Sequence, residues 1–191
     1  MKSIDKILQE NIQLKKDILA NESLKAKILK ASNLIRDGFK SGHKVLLCGN
    51  GGSAADAQHI AAELHGKFYL ERTPIPAVAL STNTSSLTAI SNDISFDDIF
   101  LRQLQGFGND NDILLSISTS GNSQNVIKAM IYAKNHSIIN IALTGNDGGI
   151  MKDYADILIN VPSTNTARIQ EAHILIGHII CEKVETELFN F

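Results

Sequence analysis

The sequence predicts an α/β fold of the doubly wound kind, five short parallel strands sandwiched by helices, with a helix pair ahead of them. Two observations carry this. Short apolar runs alternate with helix-period patterns along most of the chain, and each run ends in a loop rich in Gly, Ser, Thr or Asn. Such alternation means right-handed crossovers and a parallel sheet covered on both faces, with ligands gathered beyond the carboxyl ends of the strands. A chain of 191 residues suits one domain, and 43% hydrophobic with 20% charged residues leaves no segment biased toward disorder.

In chain order, Ile4, Ile7, Leu8, Leu14, Ile18 and Leu19 fall at helical spacing. Asn21 or Ser23 can cap a second helix carrying Leu24, Ile28, Leu29, Leu34, Ile35 and Phe39. No strand precedes this pair, so it packs either outside the domain or against a second subunit, and the subunit contact is preferred. Residues 1–42 are therefore set apart as an oligomerisation pair and 43–191 as the α/β core of a single domain, 1–191. Residues 45–48 form the first strand; it stops at a glycine-rich loop, and Ser53 opens an alanine-rich helix. The second strand is 77–80, followed by a short helical piece at 87–90 and an amphipathic helix through Phe96, Ile99, Phe100, Leu101 and Leu104. Strands at 112–117, 138–143 and 156–161 follow, with a helix through Val126, Ile127, Ala129, Met130 and Ala133 after the first of them, and a final helix at about 164–188.

Several function classes drop out. A formal net charge of −2 without a Lys/Arg block argues against a sequence-independent grip on nucleic acid or an anionic membrane. The opening residues lack the uninterrupted apolar core of a signal peptide, and no apolar run reaches ~18 residues, so the expected location is cytoplasmic. Cys48 and Cys181 form no CxxC pair and are expected as small buried apolar residues. Gly49-x-Gly51-x-x-Ala54 nominally fits a dinucleotide fingerprint, but Leu80 is followed by Ser81, Thr82 and Asn83 where an acidic residue would hold a ribose. No Gly-Lys-Ser/Thr occurs, which removes the P-loop.

Three stretches carry chemistry. After the first strand, Asn50, Gly51, Gly52 and Ser53 offer backbone N–H groups and the positive end of a helix dipole, which suits an anion. On the helix that follows, His59 and Glu63 stand four residues apart, about 40° around the axis. A solvated ion pair is the plain alternative, but Asp56 shares their stripe, and Ala54, Ala55, Ala57, Ala61 and Ala62 let neighbours approach closely. The second stretch, Ser118, Thr119, Ser120, Gly121, Asn122 and Ser123, sets four hydroxyls before a helix. A serine N-cap would explain one of them. Without Lys or Arg, such a loop favours a small, exchangeable phosphoester held by neutral donors and the dipole. The third is the last helix, with Arg168, Gln170, Glu171, His173, His178 and Glu182 among apolar residues. Glu171 is nearly in line with His178, Gln170 about 80° from it, and spacing does not choose between them. Considered alone, His178 is more commonly a core histidine bonded to a backbone carbonyl. His43, His65 and His136 receive no role.

CGNGGSAADAQH, ISTSGNS and TARIQEAH followed by His178 together resemble the sugar isomerase (SIS) domain family over nearly the whole chain, and within it the branch acting on heptose phosphates. The resemblance implies a flavodoxin-like five-stranded core and a homotetramer with active sites between subunits, Gln170 and His178 being supplied at least partly across a boundary. It implies an aldose–ketose isomerase that converts sedoheptulose 7-phosphate to D-glycero-D-manno-heptose 7-phosphate through a cis-enediol. It matches His59, Glu63, Gln170 and His178 to zinc ligands, one Zn²⁺ per subunit, which settles Gln170 over Glu171. It matches Asn50, Gly51, Gly52, Ser53, Glu63, Asn92, Asp93, Ser118, Thr119, Ser120, Ser123 and Gln170 to substrate-binding residues. Glu63 is then expected as the C1/C2 base and His178 as its partner at the oxygens. The hydroxyl loop becomes the phosphate site, and residues 50–53 the grip on the sugar.

The sequence departs from that pattern at Asn83 and Asn165, where the family often has acidic residues, and at Ile94-Ser95, where it has an aromatic-glycine pair. A competing expectation is a non-catalytic relative with the same fold and tetramer, resembling the replication initiator-associating protein and serving as a protein-binding platform. That relative departs at the Glu63 and His178 positions, both kept here. A phosphosugar-sensing regulator would bring a DNA-binding module, which this sequence lacks.

Overall fold

Five strands pair in the order β2-β1-β3-β4-β5, every neighbouring pair parallel. They are β1 (Val45–Gly49), β2 (Ala77–Ala79), β3 (Ile113–Ser118), β4 (Ile139–Gly145) and β5 (Ile157–Val161). The structure, a computed structural model, describes residues 2–189. β1 and β3 are buried along their whole length, as apolar runs covered on both faces require, while edge strand β5 alternates between buried and half-buried.

Among the described residues seven α-helices surround the sheet: α1 (Ile4–Ala20), α2 (Glu22–Lys40), α3 (Gly52–His65), α4 (Thr84–Asp93), α5 (Ile99–Phe107), α6 (Gln124–Asn135) and α7 (Thr166–Phe189). Two cores result. On one face Ile28 and Ile35 of α2, Ile60 and Leu64 of α3 and Ile176 and Ile180 of α7 pack on Leu47, Leu115 and Ile141. On the other, Phe100 and Leu104 of α5 and Val126 and Met130 of α6 pack on Leu46, Leu114 and Ala142.

Two elements differ from the sequence expectation. The helix expected at 87–90 is a full α4, begun by Asn83, whose side chain accepts from Ser86 N at 3.0 Å. The helix expected from Phe96 is broken, with a 3-10 turn at Phe96–Asp98 ahead of α5, because Ser95 accepts from Asp97 N and starts its own short turn. The N-terminal pair also divides. α2 buries Leu24, Ile28, Ala31 and Ile35 in the main core, whereas α1 gives it only Leu14 and Ile18 and exposes Ile4, Leu8, Ile12 and Leu19.

Candidate active site

The chain order reverses between β1 and β3, and at such a switch point the loops beyond the strand ends part to leave a crevice. Residues 50–53 leave β1 on one side, and residues 119–123 leave β3 on the other. Asn50 and Asn125 bridge them with a reciprocal pair of amide hydrogen bonds, each 2.8 Å. Asn125 is buried in the first turn of α6 and its Oδ1 also accepts from Val126 N, so it fixes how Asn50 sits. The sequence reading missed Asn125; one more polar residue in a helix's first turn gives no local signal of a partner 75 residues away.

In the hydroxyl loop the N-cap explanation fails. Ser123 occupies the N-cap position of α6 but makes no side-chain cap bond. Its Oγ lies 3.0 Å from Ser118 Oγ, which is itself 3.4 Å from Ser120 Oγ. Three hydroxyls therefore converge before an uncapped helix N-terminus, an arrangement suited to phosphate oxygens. Thr119 is held from behind, its carbonyl accepting from Gly145 N at 3.0 Å. Gly121 is obligatory here: its φ is +66°, and a Cβ would collide with the Gly148 carbonyl. α3 is likewise uncapped by a side chain, with Gly51 at φ +55° as its N-cap.

α3 and α7 lie side by side, matched in order along their lengths. At the start, a Cβ on Gly52 would lie 2.5 Å from Gln170 Nε2; in the middle, Gly177 admits Ile60. Flanking that contact on α3, His59 and Glu63 meet His178. His59 Nε2 is 2.9 Å from His178 Nε2 and 3.3 Å from Glu63 Oε1. Among the described residues these three form a group whose donor atoms all lie within 4.8 Å of one another. All three belong to one chain, in which α7 packs directly along α3.

The donor set fits a metal ion. Two imidazole nitrogens and one carboxylate oxygen make a common three-ligand site, and tetrahedral ligation at about 2.0–2.1 Å separates donors by roughly 3.3 Å, close to the spacings found. His59 is half-exposed and Glu63 less so, which leaves the group open to solvent. Gln170 rests against Gly52, eight residues before His178 and about 12 Å along the helix axis. Glu171 points elsewhere, to Asn11 and Arg168.

The core histidine bonded to a carbonyl is His173, not His178. His173 is fully buried, with Nε2 3.0 Å from the Thr144 carbonyl, and burial pushes its pKa down to about 4. Asp56 is half-buried on α3; burial raises its pKa to about 6, partly opposed by nearby His59. Asn92 and Asp93 are exposed at the far end of α4, bonded to each other at 2.7 Å and joined by no hydrogen bond to the other site residues. Two departures from the family pattern have a local explanation, for Asn83 and Asn165 both cap helices, a task Asn performs as well as Asp. Ile94, at the end of α4, is exposed, and nothing in the structure explains its replacing an aromatic residue.

A family model described as the SIS domain matches residues 9–145. The phosphoheptose isomerase of Sulfurimonas denitrificans is 51% identical over 189 residues, covering 99% of this chain and 97% of that protein. Phosphoheptose isomerase 2 of Campylobacter jejuni is 52% identical over 181 residues, covering 95% and 90%. Among solved structures, a phosphoheptose isomerase from Francisella tularensis superposes with a TM-score of 0.92 at 39% identity, over 97% of this chain and all (100%) of the other. The phosphoheptose isomerase from Neisseria gonorrhoeae gives 0.90 at 43%, over 96% and 97%.

Proposed function

The chain belongs to the SIS-domain family, and from that premise we propose that it is an aldose–ketose isomerase converting sedoheptulose 7-phosphate to D-glycero-D-manno-heptose 7-phosphate, for heptose precursor synthesis. The observation that carries the chemistry is the meeting of His59, Glu63 and His178 from two adjacent helices, with the converging hydroxyls of Ser118, Ser120 and Ser123 as a separate place for phosphate.

Isomerisation moves one proton from C1 to C2 and one from O1 to O2, through a cis-enediol. Glu63 takes the C1 proton and returns it to C2 on the same face; His178 takes the O1 proton and delivers one to O2. Ser118, Thr119, Ser120 and Ser123, with the N-terminus of α6, bind the phosphate and fix the distance from it to C1 and C2. Asn50, Gly51, Gly52, Ser53 and Gln170 line the sugar chain between. Zinc, held by His59, Glu63 and His178 with Gln170 as fourth ligand, would polarise the oxygens on C1 and C2. Of its two duties, the present position of Gln170 beside Gly52 serves the sugar.

The assembly we assign is a homotetramer with active sites at subunit interfaces. Its support is the exposed apolar stripe Ile4, Leu8, Ile12 and Leu19 on α1, and the exposed position of Asn92 and Asp93 at the end of α4, where they bond to each other and to no other site residue. No helix among the described residues is long and apolar enough to cross a membrane. A charged sugar phosphate as substrate favours the cytoplasm.

The test is direct. Purified protein incubated with sedoheptulose 7-phosphate yields an aldoheptose 7-phosphate detectable by NMR, and Glu63→Gln or His178→Gln abolishes it. No turnover with or without added zinc would overturn the reading and return the platform alternative. Retention of both Glu63 and His178, in contact with the same histidine, weighs against that alternative.

A further inference from the structure

Beyond the residues that face the cleft, one buried ion pair lies where the two functional helices end their contact. Arg72 and Glu185 have side chains only 2% exposed and are joined Nε to Oε1 at 2.8 Å. Neither belongs to a motif, and Arg72 sits in a stretch without regular structure between α3 and β2.

Each partner satisfies several backbone groups, one of them, the Leu64 carbonyl, shared with Ile75 N at 3.1 Å. Arg72 Nη2 donates to the Glu63 carbonyl at 2.9 Å and Nη1 to the Leu64 carbonyl at 2.8 Å, with longer bonds to Thr73 and Gly66. It thus closes the last turn of α3, whose terminal carbonyls have no partners within the helix. Glu185 accepts three successive loop N–H groups: Phe68 at 3.2 Å, Tyr69 at 2.7 Å and Leu70 at 3.1 Å. Burial works to raise the Glu185 pKa, but these donors and the guanidinium outweigh it and hold the carboxyl below the usual range.

The consequence falls on the site. The loop pinned by Glu185 lays the Phe68 ring against His178, centroids 5.7 Å apart, and Tyr69 covers Phe68 at 4.4 Å. Glu185 lies seven residues after His178, two turns along one face of α7. One of the carbonyls that Arg72 grips belongs to Glu63 itself. The ion pair taken alone gains little over hydrophobic isosteres. What an apolar pair could not do is hold the loop N–H groups and the helix-end carbonyls in one geometry.

We propose that Arg72 and Glu185 are positioning residues, a buried clamp that sets the register of α3 against α7 and thereby the placement of Glu63 and His178. The proposal rests on the isomerase reading for its effect on turnover, but its effect on metal binding does not. Removing one partner strands a buried charge and can prevent folding, so the deciding variant is Arg72→Met/Glu185→Leu, with Glu185→Gln beside it.

Zinc affinity of the full-length protein is measured by competition with a chromophoric chelator, and kcat and KM are measured separately on sedoheptulose 7-phosphate. The folded double variant should bind zinc about 10- to 100-fold more weakly, the usual effect of removing supports behind metal ligands. Its kcat should fall by a similar factor while KM moves less than about 3-fold, the split expected when alignment of the reacting groups is lost and the grip on substrate is not. A folded double variant with native zinc affinity and native kcat overturns the clamp. Native protein without turnover, alongside weakened zinc binding in the variant, would leave the clamp standing and remove the isomerase reading.

Discussion

His173 makes the stability of this fold depend on pH, with a sign and size that follow from its surroundings. Its ring is fully buried, and no charged group contributes to its shift: burial lowers the pKa from 6.5 to about 4, and the bond to the Thr144 carbonyl opposes this only in part. The folded state therefore prefers the neutral ring. The contribution of His173 is complete above the unfolded pKa of 6.5, declines as pH falls from there to about 4, and changes no further below. At about 1.4 kcal/mol per pKa unit, the full loss is about 3 kcal/mol, of which roughly 2 kcal/mol is gone by pH 5. His173→Gln isolates the effect, because glutamine keeps a neutral N–H donor for the Thr144 carbonyl and does not titrate. Urea unfolding of both proteins at pH 7 and pH 5, at one fixed protein concentration, should show wild type losing roughly 2 kcal/mol relative to the variant. A gap between the two proteins that stays constant across this range would refute the reasoning.

Other outcomes follow from the site. Ser123→Ala should leave unfolding free energy within about 0.5 kcal/mol of wild type, since the hydroxyl caps nothing, yet raise KM for the phosphosugar about 5-fold by removing one phosphate donor; a stability loss with unchanged KM would restore the N-cap interpretation. Gly121→Ala forces a Cβ onto positive-φ backbone against the Gly148 carbonyl, and urea unfolding should register a loss of roughly 2–4 kcal/mol. Asn125→Ala strips Asn50 of both amide partners, and unfolding should show a loss of about 1–3 kcal/mol together with a higher KM. Dialysis against a chelator should lower turnover reversibly, with zinc restoring it, while far-UV circular dichroism stays native because the sheet and both cores close without the metal group.

Much of this was legible because it is local. The strands are short apolar runs, each ending in its own polar loop, and His59 and Glu63 share a face because four residues on a helix bring them there. The Asn83 cap was not recognised, although an Asn three residues before a free N–H is a signal the sequence does carry. The burial of α2 in the main core is not legible for a different reason. Its apolar stripe says that something covers it, and an amphipathic pattern is the same whether the cover is β5 and α7 or another subunit.

By itself, then, the sequence determined the alternation of strands and helices, the two glycine- and hydroxyl-bearing loops, and the pairing of His59 with Glu63. Tertiary structure alone decided that His178 meets His59 while His173 is sealed in the core, two histidines five residues apart on one helix. It also turned Ser123 toward Ser118 instead of its own helix, joined Asn50 to Asn125, and brought Arg72 to Glu185 across 113 residues. The physical reason is common to all of these. Spacing fixes which residues share a face, but the rotation of α7 against α3 is set by where Gly177 lets Ile60 approach and where a buried ion pair can satisfy its neighbours, and those are properties of the packed whole.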